Sequence, residues 1–301
     1  MRDVAVCLYL YHTDLWPEFK QLLLPLAEYI RLYIGLCKDN HNNINDFADF
    51  DYRVSFHQNY GADVAPFLNQ LKSIEEPVFI KLHSKKSYWG FKGRINWRTM
   101  LLNDLIGSKE IFLANLQKLL NTKNAGLLSN KVLLMGNREY KNRNKIIEIC
   151  AKIGIDYNTV KNSKFPAGNM FMGKTKIFEQ HISKNIDTIL DLLYNETGKV
   201  DDRKKGTYSH AMERIFGYVN TYQNLDFIHA DHKIVKINNP KAPNKQYFSM
   251  VHTYNNDCYL LEDPNIYGYY DIQNSTITWY HLENITKQKY RIIDNYSIEK
   301  E

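Results

Sequence analysis

The chain has 301 residues, a formal net charge of +6 at pH 7, a hydrophobic fraction of 44% and a charged fraction of 24%. That length suits one large α/β domain with an appendage or two modest domains, and the composition excludes intrinsic disorder. The mild positive charge suits small anionic ligands or an anionic membrane surface and is too weak for a duplex-DNA reader, so no nucleic-acid partner is expected.

Val4–Leu10 reads as a first strand, an apolar run too short for a signal peptide and with no small-residue cleavage site behind it. Residues 14–30 carry apolar side chains at helical spacing (Leu15, Phe19, Leu22, Leu23, Leu26, Ile30), which predicts a helix capped by Thr13 or Asp14 and kinked or divided at Pro25. Residues 32–37 and 52–56 read as strands across a polar loop. Asp46, Asp49 and Asp51 precede a strand rather than follow one, the wrong side of a sheet for a metal held by substrate phosphates. After Asn59-Tyr60-Gly61-Ala62-Asp63 a short helix runs to Leu71, and residues 77–82 form another strand. Strand, helix, strand, strand, helix, strand is the order of a nucleotide-binding α/β half.

Helices are predicted at 96–105 and 109–120, a strand at Ala125–Ser129 and a helix at 140–153. Residues 165–173 read as a strand entered through a tight turn, and Thr175 as the cap of a helix reaching Tyr194. The polar run 195–206 is a loop able to act as a lid, and Tyr208–Tyr222 is a helix that closes the core. Beyond about residue 240 come short β-like runs, so the chain is expected to divide into residues 1–235 and a C-terminal extension, 236–301. Cys7, Cys37, Cys150 and Cys258 are too scattered for a zinc knuckle or a disulfide framework, which favours a cytoplasmic setting. No stretch approaches the ~20 apolar residues of a membrane span, so membrane contact would be peripheral.

The first chemical signal is His83-Ser84-Lys85-Lys86-Ser87, a cationic, hydroxyl-rich cluster at the C-terminal end of a buried strand. Ligands bind at that edge of an open α/β sheet, so a phosphate or diphosphate is expected there; the plain alternative is a solvated basic turn. In Asn59-x-Gly61-x-Asp63, Gly61 can turn left-handed and admit a ligand to the backbone. Asp63 would then meet a ribose hydroxyl or a base edge, cap the following helix, or do both. His210, Glu213 and Arg214 fall within one helical turn, as either a tuned general base with its partners or an intrahelical ion-pair network. Asp201 and Asp202 in the preceding loop are rival bases.

Together these blocks resemble the rhamnan synthesis F family of bacterial polysaccharide-assembly glycosyltransferases. The matching pieces, in order, are residues 59–68, Lys81-Leu82-His83-Ser84-Lys85-Lys86-Ser87, Trp97-Arg98, Phe165-Pro166-Ala167-Gly168-Asn169-Met170-Phe171, and Gly206-Thr207 with His210-Ala211-Met212-Glu213-Arg214. The resemblance covers residues 3 to about 220. It implies sugar transfer from a nucleotide sugar and an α/β, GT-A-like, Rossmann-related, mostly parallel sheet flanked by helices. In that fold the fourth strand ordinarily ends in a metal-binding Asp-x-Asp. Here His-Ser-Lys-Lys-Ser stands in its place, so the lysines are expected to replace the divalent cation and no cofactor is expected. An Asp often precedes the family's Gly-Thr pair, whereas this chain has Lys205 there, which leaves the base open between Glu213 and Asp202.

On this reading His83, Ser84, Lys85, Lys86 and Ser87 hold the donor diphosphate, and Asn59, Gly61 and Asp63 the nucleoside. Gly168, Asn169 and Met170 shape the acceptor side, where His210 and Arg214 orient the site. The donor is a nucleoside-diphosphate sugar, with dTDP-rhamnose, UDP- and GDP-sugars all open, and the acceptor a glycan or lipid-linked glycan. The alternative is a non-catalytic glycan-binding or assembly subunit that keeps the fold but not the chemistry.

Overall fold

A computed structural model describes residues 2–40, 46–86, 88–89, 95–130, 134–136, 139–197 and 204–230, together with the backbone of six strands after residue 231. The chain divides into two compact units, Met1–Lys85 with Leu105–Ala230, and Lys86–Asp104 with Asp231–Glu301.

In chain order the elements are β1 (Val4–Leu10), α1 (Trp16–Leu23), β2 (Ile30–Cys37), β3 (Tyr52–His57), α2 (Val64–Leu71), β4 (Val78–His83), β5 (Tyr88–Trp89), β6 (Ile95–Asn96), α3 (Trp97–Ile106) and α4 (Lys109–Asn121). There follow β7 (Ala125–Ser129), β8 (Leu134–Gly136), α5 (Arg143–Lys152), α6 (Tyr157–Val160), β9 (Lys164–Pro166), β10 (Phe171–Lys174), α7 (Ile186–Leu193), α8 (Tyr208–Tyr222) and β11 (Asp226–His229). The second unit holds the β5–β6 pair and a separate antiparallel meander of six strands: β12 (Val235–Asn238), β13 (Lys245–Ser249), β14 (Ile266–Asp271), β15 (Thr276–His281), β16 (Lys287–Ile292) and β17 (Ile298–Lys300).

The first unit is built on a seven-stranded sheet in the order β11-β7-β10-β4-β1-β2-β3. All neighbours are parallel except β10, which runs antiparallel to both β4 and β7. This is the expected α/β class: a mostly parallel mixed sheet flanked by helices, consistent with a GT-A-like, Rossmann-related fold. Every residue of β1 and of β4 is buried, as strands covered on both faces must be, while the edge strand β3 is largely open.

One aromatic cluster fixes the elements that carry the site. Phe79 from β4, Phe171 from β10, Phe67 from α2, Phe216 from α8 and Phe178 interlock in pairs with ring centroids 5.4–6.4 Å apart. All five are at most 1% exposed. Burying a ring of this size is worth roughly 2–3 kcal/mol, so the cluster holds both helices firmly against the sheet.

Some expected elements are shorter. The helix expected over 14–30 is α1 followed by a 3-10 turn at Leu24–Leu26, because Pro25 supplies no N–H and cannot continue the α-helical ladder. Ile30 already begins β2. Thr175 caps no helix: its hydroxyl donates to Glu76 O at 2.7 Å, and the chain passes through 3-10 turns at Thr175–Phe178 and Ser183–Asn185 before α7. There Asn185 Nδ2 donates to His181 O at 2.8 Å and His181 Nδ1 pairs with Ile153 O at 2.9 Å, local bonds that compete with a continuous helix. Residues 165–173 hold the expected tight turn and the start of the strand β10 that it enters, with the end of β9 before the turn. The strand β11, which extends the sheet beside β7, is an element the apolar pattern does not predict.

Candidate functional site

The site lies at the C-terminal end of β4 and begins with an unusual turn. Gly61 (φ 64°) and Ala62 (φ 51°) are both left-handed, and a Cβ on Gly61 would meet Ala65 Cβ at 2.8 Å. This geometry lets Gly61 O accept from the N–H groups of Val64 (3.0 Å) and Ala65 (3.2 Å), closing the start of α2 with a backbone carbonyl. Asp63 is thereby released from capping, and its side chain makes no cap hydrogen bond. Its Oδ2 instead accepts from Lys81 Nζ and, at 2.6 Å, from Asn169 Nδ2. Oδ1 takes part in neither bond.

Lys81 stands in the middle of β4, 1% exposed. Besides Asp63 its ammonium donates to Asn169 O at 3.0 Å, and it lies 5.4 Å from the centroid of the Phe67 ring. Sequence reasoning assigns it no role of its own. The signal is present all the same, since a lone cation in an otherwise apolar buried strand must have a buried partner.

His83 ends β4 and is 7% exposed. Its Nδ1 is 3.4 Å from Asp63 Oδ2 but without hydrogen-bond geometry, and has no partner among the described residues. Asn169 Oδ1 is likewise buried and unpartnered. Ser84 is a clasp: its Oγ accepts from His12 N at 2.7 Å and its N–H donates to Tyr9 O at 2.9 Å, tying the ends of β4 and β1 together. Lys85 is partly buried, with its N–H on His83 O at 2.9 Å. Lys86 is exposed and begins the second unit. Asn59 is exposed. Ser87, Asp201 and Asp202 lie outside the described residues.

Before β10 the chain makes a tight turn in which Asn169 N–H donates to Pro166 O at 3.1 Å. Gly168 (φ 87°) occupies its third position, where a type II turn needs a positive φ, and Asn169 (φ 59°) follows. Met170 is fully buried, so its side chain anchors the turn in the core.

Glu213 on α8 joins this turn. Its Oε1 accepts from Gly168 N–H at 2.7 Å and its Oε2 from Arg214 Nη1, also at 2.7 Å. Arg214 is 3% exposed; it donates to His210 O at 3.0 Å and its guanidinium packs 4.5 Å from the Phe165 ring centroid. Thr207 caps α8, its Oγ1 accepting from His210 N–H at 3.1 Å and pairing with His210 Nδ1 at 2.7 Å. The fold therefore gathers Asp63, Lys81, His83, Gly168, Asn169 and Glu213 into one cluster, with Arg214 and His210 behind Glu213.

Burial shapes the charges. It pushes His83 down to about 3, against the pull of Asp63 and with Lys81 and Lys85 adding to the fall, so the imidazole is neutral at pH 7. Burial would raise the Asp63 carboxyl, but His83, Lys81 and Lys85 around it hold it well below the usual carboxylate range. With His83 neutral, Lys81 is the principal counter-charge. Burial in turn lowers the Lys81 ammonium, against the pull of Asp63 and of Glu213. Among the described residues no three His, Cys, Asp or Glu side chains stand close enough to hold a metal ion.

A family model described as rhamnan synthesis protein F matches residues 1–225. No curated protein and no solved structure matches the chain.

Proposed function

The chain belongs to the rhamnan synthesis protein F family, and from that premise we propose that it transfers a sugar from a nucleoside-diphosphate donor to a cell-surface glycan or lipid-linked glycan acceptor. The observation that carries this reading is the pair of unpartnered buried polar atoms, His83 Nδ1 and Asn169 Oδ1, on a rigid cluster at the ligand-binding edge of the sheet and beside Lys85.

In this mechanism Lys85 and Lys86 neutralise the donor diphosphate, with His83 and Ser84 shaping the turn that presents them. The acceptor hydroxyl oxygen attacks the anomeric carbon as the bond to the diphosphate breaks, and the acceptor proton passes to a carboxylate. Glu213 or Asp202 is that carboxylate, with inversion at the sugar. Lysine charge does the work a divalent cation does elsewhere, which makes the reaction independent of metal. The acceptor approaches over the Gly168–Asn169 turn, and the protein works at the cytoplasmic face of the membrane; among the described residues no helix is long and apolar enough to cross one.

A second reading, a non-catalytic assembly subunit, is favoured by Glu213: both its oxygens already hold structural partners. Incubating the full chain with a panel of nucleotide sugars, with and without EDTA, and measuring released nucleotide separates the two. Turnover that survives EDTA supports the transferase; EDTA-sensitive turnover overturns metal independence, and absence of nucleotide binding supports the assembly subunit.

A further inference from the structure

The same sheet edge carries a second concavity, a cavity of about 200 Å³ at the ends of β2 and β3, whose lining includes Lys38, Phe56, His57, Gln58, Tyr60 and Asn69. Drug-sized ligands occupy pockets of ~300–1,000 Å³, so this cleft takes one ring system rather than a whole nucleotide sugar. Phe56 is a large apolar side chain left 51% exposed at the rim. Gln58 and Asn69 bring amides, each both donor and acceptor, and Lys38 brings a group that can only donate.

The walls are held in place. Lys38 N–H donates to His57 O at 2.8 Å, joining the two strand ends. His57 is pinned by Ser55 Oγ at 2.8 Å from its Nε2 and meets the Tyr9 ring edge-on at 6.3 Å. Burial, with Lys38 nearby, pushes its imidazole down to about 4, so it contributes no charge at pH 7. Gly61 N–H, on Glu196 O at 2.8 Å, fixes the far side of the loop that carries Gln58 and Tyr60.

From β4 to β3 the sheet order is β4-β1-β2-β3. Two to three inter-strand spacings of ~4.8 Å put the cleft roughly 10–14 Å from the end of β4, a separation of the order of a nucleoside diphosphate's length. We propose that this cleft is the nucleobase pocket of the donor, with Phe56 stacking on the base, Gln58 and Asn69 reading its edge, and Lys38 donating to the carbonyl at O4 or O6. An aromatic face beside paired amides is the chemistry that recognises a flat heterocycle, and a lysine donor set against the O4 or O6 position selects the carbonyl of uracil, thymine or guanine over the amino group that cytosine or adenine carries there. The inference rests on the nucleotide-sugar reading above and moves the base away from Asp63, whose Oδ2 is already committed to Lys81 and Asn169.

The test is equilibrium binding of UDP, dTDP, GDP, ADP, CDP and inorganic pyrophosphate to the full chain and to Phe56→Ala, Phe56→Leu and Lys38→Met variants. The wild type is expected to prefer one of UDP, dTDP and GDP over ADP and CDP by at least about tenfold. Loss of stacking in Phe56→Ala should weaken that diphosphate by about tenfold to a hundredfold, Phe56→Leu should recover part of the loss, and pyrophosphate binding should not move. Lys38→Met should erase the preference between bases. Nucleotide binding that is unaltered in Phe56→Ala, or weakened there in step with pyrophosphate, overturns the pocket and leaves the nucleotide-sugar reading intact. A wild-type chain that binds no diphosphate at all overturns that reading, and the pocket with it.

Discussion

Asp63 and Asn169 are 106 residues apart in the chain, yet Asn169 Nδ2 donates to Asp63 Oδ2 at 2.6 Å. Lys81 completes the link, donating both to the carboxylate and to Asn169 O. A start of helix, a strand and a turn from distant parts of the sequence thus share one buried charge pair.

Removing one member should cost more than removing both. Lys81→Met leaves the Asp63 carboxylate buried without its counter-charge and is expected to destabilise the first unit by about 3 kcal/mol, whereas Lys81→Met combined with Asp63→Asn should lose clearly less. Urea unfolding of the two variants and the Asp63→Asn single gives the coupling; additive losses would sink the claim that the pair acts as a unit.

Acid should loosen the same region. His83 and His57 are held down at about 3 and about 4, below the ordinary value of 6.5, so the unfolded chain takes up protons first as pH falls. Their stabilisation is present above about pH 6.5 and is lost as pH drops toward those folded-state values, at up to ~1.4 kcal/mol per pH unit for each histidine. Asp63, also depressed, adds a loss in the same direction at more acid pH. Melting temperature measured from pH 8 to pH 4.5 should fall below pH 6.5, less steeply in His83→Gln; a flat profile down to pH 5 contradicts the assignment.

Glu213→Gln decides between base and strut. The amide keeps an acceptor for Gly168 N–H but removes the negative partner of Arg214, a group only 3% exposed, so a stability loss of about 1–3 kcal/mol is expected. Assayed well below its melting temperature, the variant should bind nucleotide normally and turn over at least a hundredfold more slowly. Retained turnover with the stability loss would mark Glu213 as a strut and pass the proton to Asp202.

Lys85→Ala should weaken pyrophosphate binding about tenfold and should flatten the salt dependence of binding. Equal binding at low salt would remove Lys85 from the anion site.

A methyl group can test how closely α8 rests on β9. A Cβ on Gly217 would sit 2.3 Å from Lys164 O and 2.7 Å from Phe165 Cα, both backbone atoms that cannot step aside cheaply. Gly217→Ala is expected to cost about 1–3 kcal/mol despite the better helix propensity of alanine, read as a drop in melting temperature.

The alternation of helical and extended apolar patterns places β1, β2, β3, α2 and β4 from sequence alone, because buried strands and amphipathic helices write their periods directly into the chain. The blocks at 59–63, 165–171 and 206–214 are legible as a set, and the fold joins them through Asp63, Asn169 and Glu213. Lys81 is hidden because its partners come from remote segments and no local period marks an ion pair. Lys38, Phe56, Gln58 and Asn69 are hidden for a related reason: each is ordinary in its own segment and acquires meaning only when β2, β3 and α2 form a concavity. The segment 175–194 misleads because its apolar spacing stays helical while local side-chain bonds break the backbone ladder.

The single antiparallel strand of the large sheet, β10, bears on how the site can change. A parallel strand offers the ligand edge the loop that leaves it, whereas β10 offers the loop that enters it. Gly168 and Asn169 are therefore coupled in register to the chain just upstream, through β9, and are held to α8 by Glu213, whereas the chain immediately after Lys174 departs at the opposite edge. Insertions or deletions in the segment directly after 174 can accumulate without moving Asn169 provided that α8 keeps its place, while a one-residue slip before 165 would withdraw its amide from Asp63, so the cluster is open to length variation on one side of β10 and closed to it on the other.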